Sequence, residues 1–594
     1  MIGNLGKIVD INGNYVTIKI EFNVSGYGNL MNIHVVFDDG TKRIVGEILK
    51  VTIQDIVVGI VGELQDDAFI PGINAKPSFA SVVRIINKEE LELVLGPQEV
   101  SDSEHMYLGK SAIYNGYRIN VGVNNFFSNH FAILGNTGSG KSCTFARIIQ
   151  NIFTTSKYLP VNASVFVFDA YGEYKNAFSF LHEFNNQLNY KSYTTNIETK
   201  DKDSELLRIP LWLLDVDDIA LLLGATEASQ LPIIEKALKL VPILKGTDEE
   251  AIKCKNDIIA RAVLDILQSG KDSIKIRDQI TAVLSTFHTD MLSLESQIIQ
   301  PGYVRTLKQC IYVDNSGKMQ EMELVVNFIS TFIIEGFEIP NPKGNVMYNL
   351  DDLEQALNFA LISEGILKSD KVFDYANILS VRLHALANGE YKEYFNYGQM
   401  VTKSGYIRDL MTTYDGGKAQ LVGFNINYID DRTAKSITKI ISRLLFEVAA
   451  NSENRGKFPF HIIIEEAHRY VQKDIDQELL GYNIFDRITK EGRKYGVILG
   501  LITQRPSELS ETSISQCSNF IVLRTLHPKD LQYIKEMVPN VTDEVIAILK
   551  TLQPGSAIAF GSAFKVPVSI KMDKPSPEPY SNNSDVAKIW YALN

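Results

Sequence analysis

Hydrophobic and polar residues alternate through much of the first hundred positions, as in Lys7-Ile8-Val9-Asp10-Ile11, Tyr15-Val16-Thr17-Ile18-Lys19-Ile20 and Ile44-Val45-Gly46-Glu47-Ile48-Leu49. Period-two runs of β-branched residues, punctuated by Gly and Asn, predict short half-buried strands. Strands this short and closely spaced predict a small β-barrel, because closure removes the exposed edges that an open sheet would leave. The expected boundary lies near Ser103 to Gly109, giving an N-terminal unit of residues 1–108.

From Phe131 onward the pattern changes to uninterrupted apolar runs separated by helical spacing. The runs are Phe131 to Leu134, Ser164 to Phe168, Leu421 to Phe424, His461 to Ile464, Val497 to Ile502 and Phe520 to Leu523. Continuous apolar strands alternating with helices predict a parallel sheet covered on both faces, an α/β core. Between Leu221 and Gly398 the spacing is mainly helical, as in Leu231 to Leu240 and in Asp351 to Ile366, where Asp351 or Asp352 is the expected cap. The core is therefore read as two parts, 109–225 and 401–572, interrupted by a mainly helical insertion over 226–400. A C-terminal arm over 573–594, rich in Pro, Ser and Asn, is expected to end in a short helix from Ser584 to Leu593.

Composition narrows the classes. With 594 residues, 45% hydrophobic and 22% charged, the chain has the make-up of a multidomain globular protein and not of a disordered one. No apolar run approaches the roughly 18 to 20 residues of a membrane-spanning helix, and the first residues lack the basic and apolar regions of a signal peptide, so a cytoplasmic protein without a membrane partner is expected. The charge of -12, from 59 basic and 71 acidic residues, argues against nucleic-acid binding over the whole surface and confines any such contact to a local basic lining. Cys143, Cys254, Cys310 and Cys517 are far apart and form no CxxC pair, which supports neither a zinc site nor a disulfide framework.

The sharpest chemical signal is Gly135-Asn136-Thr137-Gly138-Ser139-Gly140-Lys141-Ser142, a GxxxxGK[ST] motif that follows an apolar strand and precedes a helix-compatible segment beginning at Cys143. Glycines at this spacing let successive backbone N–H groups turn inward and cradle phosphate oxygens at a helix N-terminus, so residues 135 to 143 are the expected nucleotide contacts. In such a loop Lys141 reaches the β- and γ-phosphates, and the Ser142 hydroxyl ligates Mg²⁺. The only Asn-Lys pair, Asn87-Lys88, lies upstream of this loop and a guanine-reading NKxD is missing, so ATP is preferred over GTP.

Other segments complete the constellation. The apolar run His461 to Ile464 ends in Glu465 and Glu466, read as the acid that holds hydrated Mg²⁺ and the general base that polarises the attacking water. Taken alone, two acids after a strand more often mark a solvated helix start; the upstream motif changes that balance. Thr503 and Gln504, at the end of another strand, are candidate γ-phosphate sensors, against the plainer reading of a strand turning before Pro506. In the cluster Asp486 to Gly496, Arg493 is the first choice for a cation lent across a subunit boundary, with Arg487, Lys494 and Arg524 as rivals. Asp169 and Glu173 are read either as support for the nucleotide site or as acids that only satisfy backbone donors of a turn.

Together, His130 to Gly135 leading into the phosphate loop, Asp169 with Gly172-Glu173-Tyr174, Glu465-Glu466-Ala467-His468, Gly492-Arg493-Lys494-Tyr495-Gly496 and Thr503-Gln504-Arg505-Pro506 resemble the HerA family of DNA translocases. The resemblance extends to the β-rich N-terminus, the helical insertion and a late Gly555-Ser556-Ala557-Ile558 strand. It implies a RecA-like P-loop ATPase core, a homo-hexameric ring closed around double-stranded DNA, and hydrolysis of ATP with Mg²⁺ at subunit interfaces. By position it implies Lys141 and Ser142 as phosphate and metal ligands, Glu466 as catalytic acid, Gln504 as sensor and Arg493 as the trans arginine. It likens the C-terminal arm to a brace between subunits. It also implies a separate effector, a nuclease or a sirtuin-like NADase, in DNA end processing or antiphage defence. A nucleotide-controlled scaffold for that effector and a conjugation-type coupling ATPase are the alternative readings.

Overall fold

The computed structural model describes residues 4–21, 28–100, 103–154, 158–199, 201–336, 346–365, 370–474, 476–537, 541–580 and 585–591. Its backbone is organised by a 12-stranded sheet. From Ser204–Leu206 at one edge, the order runs through Tyr190–Thr194, Leu421–Asn425, Val165–Asp169, Phe460–Ile464, Val497–Thr503 and Phe131–Leu134 to Asn519–Leu523. Every neighbouring pair in this stretch is parallel. Ser556–Gly561, Val568–Lys571, His105–Ser111 and Arg118–Gly122 extend the sheet antiparallel.

From Leu421–Asn425 to Asn519–Leu523 both faces of the parallel stretch are buried, which is why these strands read as apolar runs, whereas Tyr190–Thr194 and Ser204–Leu206 at its edge are partly exposed and polar. Ala132 and Leu134 pack on one side with Ile462, Ile464 and the helices Asp431–Ala450 and Ile484–Tyr495; Phe131, Ile133 and Ile463 pack on the other with the helix Lys141–Thr154. The helices Val216–Leu223, Leu231–Lys245, Glu249–Leu267 and Leu350–Gly365 share the first of these cores, so the helical segment is continuous with the sheet's own apolar face. Within it lies a hairpin, Gln297–Gln300 with Tyr303–Thr306, that the helical spacing did not signal. The cap of the helix Leu350–Gly365 also differs from expectation. Asn349 accepts from the Asp352 N–H at 2.9 Å and the Asp352 carboxylate accepts from the Asn349 N–H at 2.9 Å, so Asp352 is the reciprocal partner in a capping box whose cap is Asn349.

The N-terminal residues form a separate seven-stranded sheet, whose main path runs Gly6–Asn12, Tyr15–Ile20, Asp55–Gln65, Arg43–Val51, His34–Asp38 and Val82–Ile85 in antiparallel order. The Leu5 N–H donates to the Val83 carbonyl at 2.7 Å, which brings the two ends of that path together. Its interior is a core of its own, with Val16, Ile18, Val35, Phe37, Ile48 and Val58 buried. At the other end of the chain the terminal helix is Val586–Trp590; the remaining positions expected in it fall partly outside the described residues. None of the four cysteines is in a disulfide, and among the described residues no helix is long and apolar enough to cross a membrane.

Candidate nucleotide site

Register places the site. Leu134, the last residue of its strand, lies beside Thr503 on one neighbour and Val522 on the other, so the phosphate loop emerges at the carboxyl edge of the sheet. There the Gly135 N–H donates to the Thr503 carbonyl at 3.2 Å and the Asn136 N–H to the Arg524 carbonyl at 2.9 Å. A Cβ on Gly135 would lie 2.7 Å from Ser139 Oγ and 2.9 Å from Leu523 Cβ, so only glycine fits. Gly138 and Gly140 take φ of +73° and +98°, the left-handed region in which side chains are strained.

The loop holds its own shape. Ser139, fully buried, donates from Oγ to the Asn136 carbonyl at 2.6 Å, and the Gly555 N–H donates to the Ser139 carbonyl at 3.0 Å. Lys141 Nζ donates to the Asn136 carbonyl at 3.3 Å. Lys141, Ser142 and Cys143 open the helix Lys141–Thr154, whose first N–H groups have no intrahelical acceptor. Thr137 is exposed, and its hydroxyl donates to Gln504 Oε1, which places the Gln504 side chain over the mouth of the loop.

The second wall comes from the strand Phe460–Ile464. Glu465, 3% exposed, accepts from Ser142 Oγ at 3.3 Å and from the Tyr174 hydroxyl at 3.0 Å through the same carboxylate oxygen; Oε2 has no hydrogen-bond partner among the described residues. Glu466 follows at φ +46° and ψ +45°, a left-handed conformation for a residue with a side chain, and its Oε2 is likewise buried without a hydrogen bond. Strain of this kind persists where the surroundings over-determine it and clusters at active sites. His468 Nδ1 sits 3.1 Å from Thr503 Oγ1 and 3.2 Å from Glu466 Oε2, the second approach lacking hydrogen-bond alignment.

Burial dominates the electrostatics. It pushes the Glu465 carboxyl well above its ordinary value of 4.5, and Asp169, Glu173 and Glu466 push it in the same direction. Burial also lowers the Lys141 ammonium, against the pull of Glu466, Glu465 and Glu173. The His468 imidazole is lowered by burial, with Glu466 opposing.

Sequence left two roles open for the acids of the second strand, and the structure divides them. Asp169 Oδ1 accepts from the N–H groups of Tyr171, Gly172 and Glu173 at 3.3, 2.8 and 3.0 Å, and Oδ2 from that of Tyr174 at 2.9 Å, so this side chain ties the turn. The Glu173 carboxyl is pushed above its ordinary value, first by burial, with the nearby Ser142 hydroxyl opposing, and it keeps one buried oxygen without a hydrogen-bond partner among the described residues. Thr503 is fully buried, and its hydroxyl accepts from the Arg505 N–H at 3.0 Å and lies 3.1 Å from His468 Nδ1, so it positions its neighbours.

The residues fit a triphosphate with hydrated Mg²⁺. Unpartnered oxygens of Glu173, Glu465 and Glu466 gather around Lys141 and Ser142. Among the described residues no group of three or more His, Cys, Asp or Glu is arranged to hold a metal by itself. Mg²⁺ suits that arrangement, since it keeps several waters and takes one or two protein oxygens plus phosphates.

Arg493 is not brought to this pocket. It is exposed on the last turn of the helix Ile484–Tyr495, just before the strand Val497–Thr503 whose far end flanks Gly135. At about 3.3 Å per residue the strand separates them by roughly 20 Å. The Arg493 charge is felt instead by His130, at the opposite edge of the sheet, whose imidazole is lowered to about 4, first by burial and then by that charge. Of the rivals, Arg487 lies over the Phe446 ring at 5.1 Å and pairs with Glu491 at 3.7 Å, Lys494 is exposed, and Arg524 stands beside its own phosphate loop. Sequence reading gave no role to the Tyr174 hydroxyl or the Gly555 N–H. Tyr174 lay within a motif already noted, but nothing in the sequence marks the Gly555 contact.

Comparison with known proteins agrees with this geometry. Residues 106–333 match the family described as "Helicase HerA, central domain". The chain is 24% identical over 587 residues to the "Probable DNA double-strand break repair helicase HerA" of Methanocaldococcus jannaschii, covering 98% of this chain and 95% of that protein. It is 30% identical over 181 residues to the "DNA double-strand break repair helicase HerA" of Sulfurisphaera tokodaii, a match spanning 29% of this chain and 35% of that relative's length. Among solved structures, VirB4 of Thermoanaerobacter pseudethanolicus aligns at 13% identity and a TM-score of 0.45, over 80% of this chain and 98% of that one. With the phosphate loop opposite two strand-end glutamates, and a likeness that in one case runs nearly from end to end, the chain is a P-loop ATPase that resembles the HerA helicases.

Proposed function

We propose that this chain hydrolyses ATP as one subunit of a homo-hexameric ring that moves along double-stranded DNA and serves a separate effector protein. The observation that carries the reading is the separation of Arg493 from its own phosphate loop. Lys141, Ser142, Glu465 and Glu466 converge within one chain, while the exposed guanidinium stands at the opposite edge of the sheet. Head-to-tail contacts that close into a ring would seat it beside the next subunit's nucleotide.

In this reading Lys141 and the backbone of residues 135 to 143 hold the β- and γ-phosphates, Ser142 and Glu465 hold Mg²⁺, and Gln504 covers the γ-phosphate. Mg²⁺ bound there supplies charge neutralisation on the phosphate oxygens. Glu466 offers its unpartnered oxygen to the attacking water, with His468 and Thr503 fixing its side of the pocket. Arg493 of the adjoining subunit stabilises charge developing on the transferred phosphoryl group. Val586, Ile589, Trp590 and Tyr591 are exposed at the end of the C-terminal arm, which suits a brace against a neighbour. The effector, a nuclease or an NADase, carries the end-processing or antiphage activity for which the motor works.

Mixing tests the reading. Lys141→Ala and Arg493→Ala subunits, each inactive alone, should regain DNA-stimulated ATP turnover when combined, because an intact phosphate loop then meets an intact arginine. A monomer by solution mass with nucleotide present, or an Arg493→Ala protein as active as wild type, would remove the ring interpretation.

A further inference from the structure

The C-terminal arm does more on its own chain than a brace requires. After the strand Val568–Lys571, the Met572 N–H donates to the Gly555 carbonyl at 2.8 Å, and Asp573 Oδ2 accepts from the Tyr107 hydroxyl at 2.7 Å. The arm then meets Gln150, a side chain of the phosphate-loop helix that is 1% exposed. Gln150 Oε1 accepts from the Ser576 N–H at 2.9 Å, and Nε2 donates to the Pro577 carbonyl at 2.9 Å and to the Ala177 carbonyl at 3.1 Å. Asn176 Nδ2 donates to the Glu578 carbonyl at 2.7 Å, and the Tyr580 N–H donates to the Glu173 carbonyl at 2.9 Å.

This path ends on the nucleotide site. Asp169 fixes the N–H groups of Gly172, Glu173 and Tyr174 from inside the protein, and the arm fixes the Glu173 carbonyl from outside. The next residue, Tyr174, donates its hydroxyl at 3.0 Å to the same Glu465 oxygen that accepts from Ser142. A buried amide such as Gln150, with both of its ends occupied, is costly to leave half satisfied, so the arm is held in this register.

We propose that the C-terminal arm is a positioning element of the nucleotide site: clamped by Gln150, residues 576–580 hold the peptide between Glu173 and Tyr174, and thereby the Tyr174 hydroxyl that orients the Glu465 carboxylate beside Ser142. The inference rests on the ATPase reading above, in which Ser142 and Glu465 hold Mg²⁺. Its consequence is that arm and catalysis are linked within a subunit, whatever the arm's far end touches. Displacements of about 1 Å at a reacting centre cost on the order of 10²-fold in rate, and losing one tether should cost part of that.

The test exploits a main-chain donor. Tyr580→Pro removes the N–H that reaches Glu173, whereas Tyr580→Ala keeps it and trims a side chain that is 66% exposed. Relative to Tyr580→Ala, the proline variant should turn over ATP about tenfold more slowly and need several-fold more Mg²⁺ for half-maximal rate, with KM for ATP little changed because the phosphate loop is intact. Gln150→Ala should show the same split, with Gln150→Glu between it and wild type. Solution mass and melting temperature, measured alongside, separate this from loss of assembly or fold. Equal kcat and equal Mg²⁺ dependence for Tyr580→Pro and Tyr580→Ala would overturn the inference while Lys141→Ala still reports a working ATPase. A wild-type chain with no more turnover than Lys141→Ala would overturn the ATPase reading and this inference together.

Discussion

Ser142 Oγ donates to Glu465 Oε1 across 3.3 Å although 323 residues separate the two in sequence. The contact joins the start of the phosphate-loop helix to the end of the strand Phe460–Ile464, and the acid beyond it, Glu466, also has a buried oxygen without a hydrogen bond. Replacing Glu466 with Gln keeps the shape and removes the base, so ATP turnover should fall by about 10² to 10⁴ with little change in nucleotide affinity. Turnover within a few-fold of wild type would assign the base elsewhere.

The backbone at Glu466 makes a separate prediction. Its φ of +46° favours glycine, and a left-handed conformation costs a residue with a side chain about 1 kcal/mol. Glu466→Gly should therefore be more stable than Glu466→Ala in thermal melts, even though both are inactive. The reverse order would mean that the turn relaxes once the carboxylate is gone.

Glu465 predicts a proton balance. Its carboxyl is raised well above 4.5, first by burial and then by Asp169, Glu173 and Glu466, so between the ordinary and the shifted value the nucleotide-free protein holds a proton that the unfolded chain has lost. Stability from this group is full below the ordinary glutamate range and declines as pH rises through the shifted value. Binding Mg²⁺ with nucleotide needs the ionised acid and should release protons at any pH below the shifted value. Calorimetric heats measured in buffers of different ionisation enthalpy will show it, and Glu465→Gln should abolish the buffer dependence. Heats that are the same in every buffer for the wild type would contradict the assignment.

The local chemistry of this site was legible in the sequence and its assembly was not. Residues 135 to 142 announce a phosphate cradle because all of its parts are contiguous, and Glu465-Glu466 stand out because they end an apolar strand. Nothing local says that the strands at 131 and 497 are neighbours, so the distance of Arg493 from its own loop emerges only with the sheet order. The cap at Asn349 was missed because Asp351 and Asp352 offer the same chemistry two and three residues later. Tyr107, Gln150 and the arm at 573–580 are brought together by the antiparallel extension of the sheet, to which no short motif points.

A buried ion network has the same invisibility. On the helix Asp431–Ala450, Arg443 is 4% exposed and pairs with Asp218, Asp215 and Glu447, while Lys439, 1% exposed, pairs with Asp474 and Asp476. Removing one partner leaves a buried charge uncompensated, so Arg443→Met should cost about 3 to 5 kcal/mol in urea unfolding. Adding Asp218→Asn should recover most of it. A loss under about 1 kcal/mol from Arg443→Met would show that water reaches Asp218.

Two groups in the N-terminal sheet predict opposing pH effects. His34 and Glu47 are directly paired across neighbouring strands, and the Tyr114 hydroxyl accepts the His34 N–H at 2.8 Å while lying 2.8 Å from His34 Nδ1. Burial lowers the imidazole from 6.5 to about 4 and raises the Glu47 carboxyl from 4.5 to about 7. Between pH 4 and 6.5 the unfolded chain carries the extra proton on His34, so that residue makes stability rise with pH. Between pH 4.5 and 7 the folded chain carries the extra proton on Glu47, so that residue makes stability fall with pH. Each effect is worth about 3 kcal/mol across its window, and in the wild type they largely cancel. Hydrogen exchange in the strands His34–Asp38 and Arg43–Val51 should therefore report a nearly constant opening free energy from pH 4.5 to 6.5. Glu47→Gln should turn this into a rise and His34→Gln into a fall. Parallel slopes in the two variants would show that the groups do not titrate as their burial dictates.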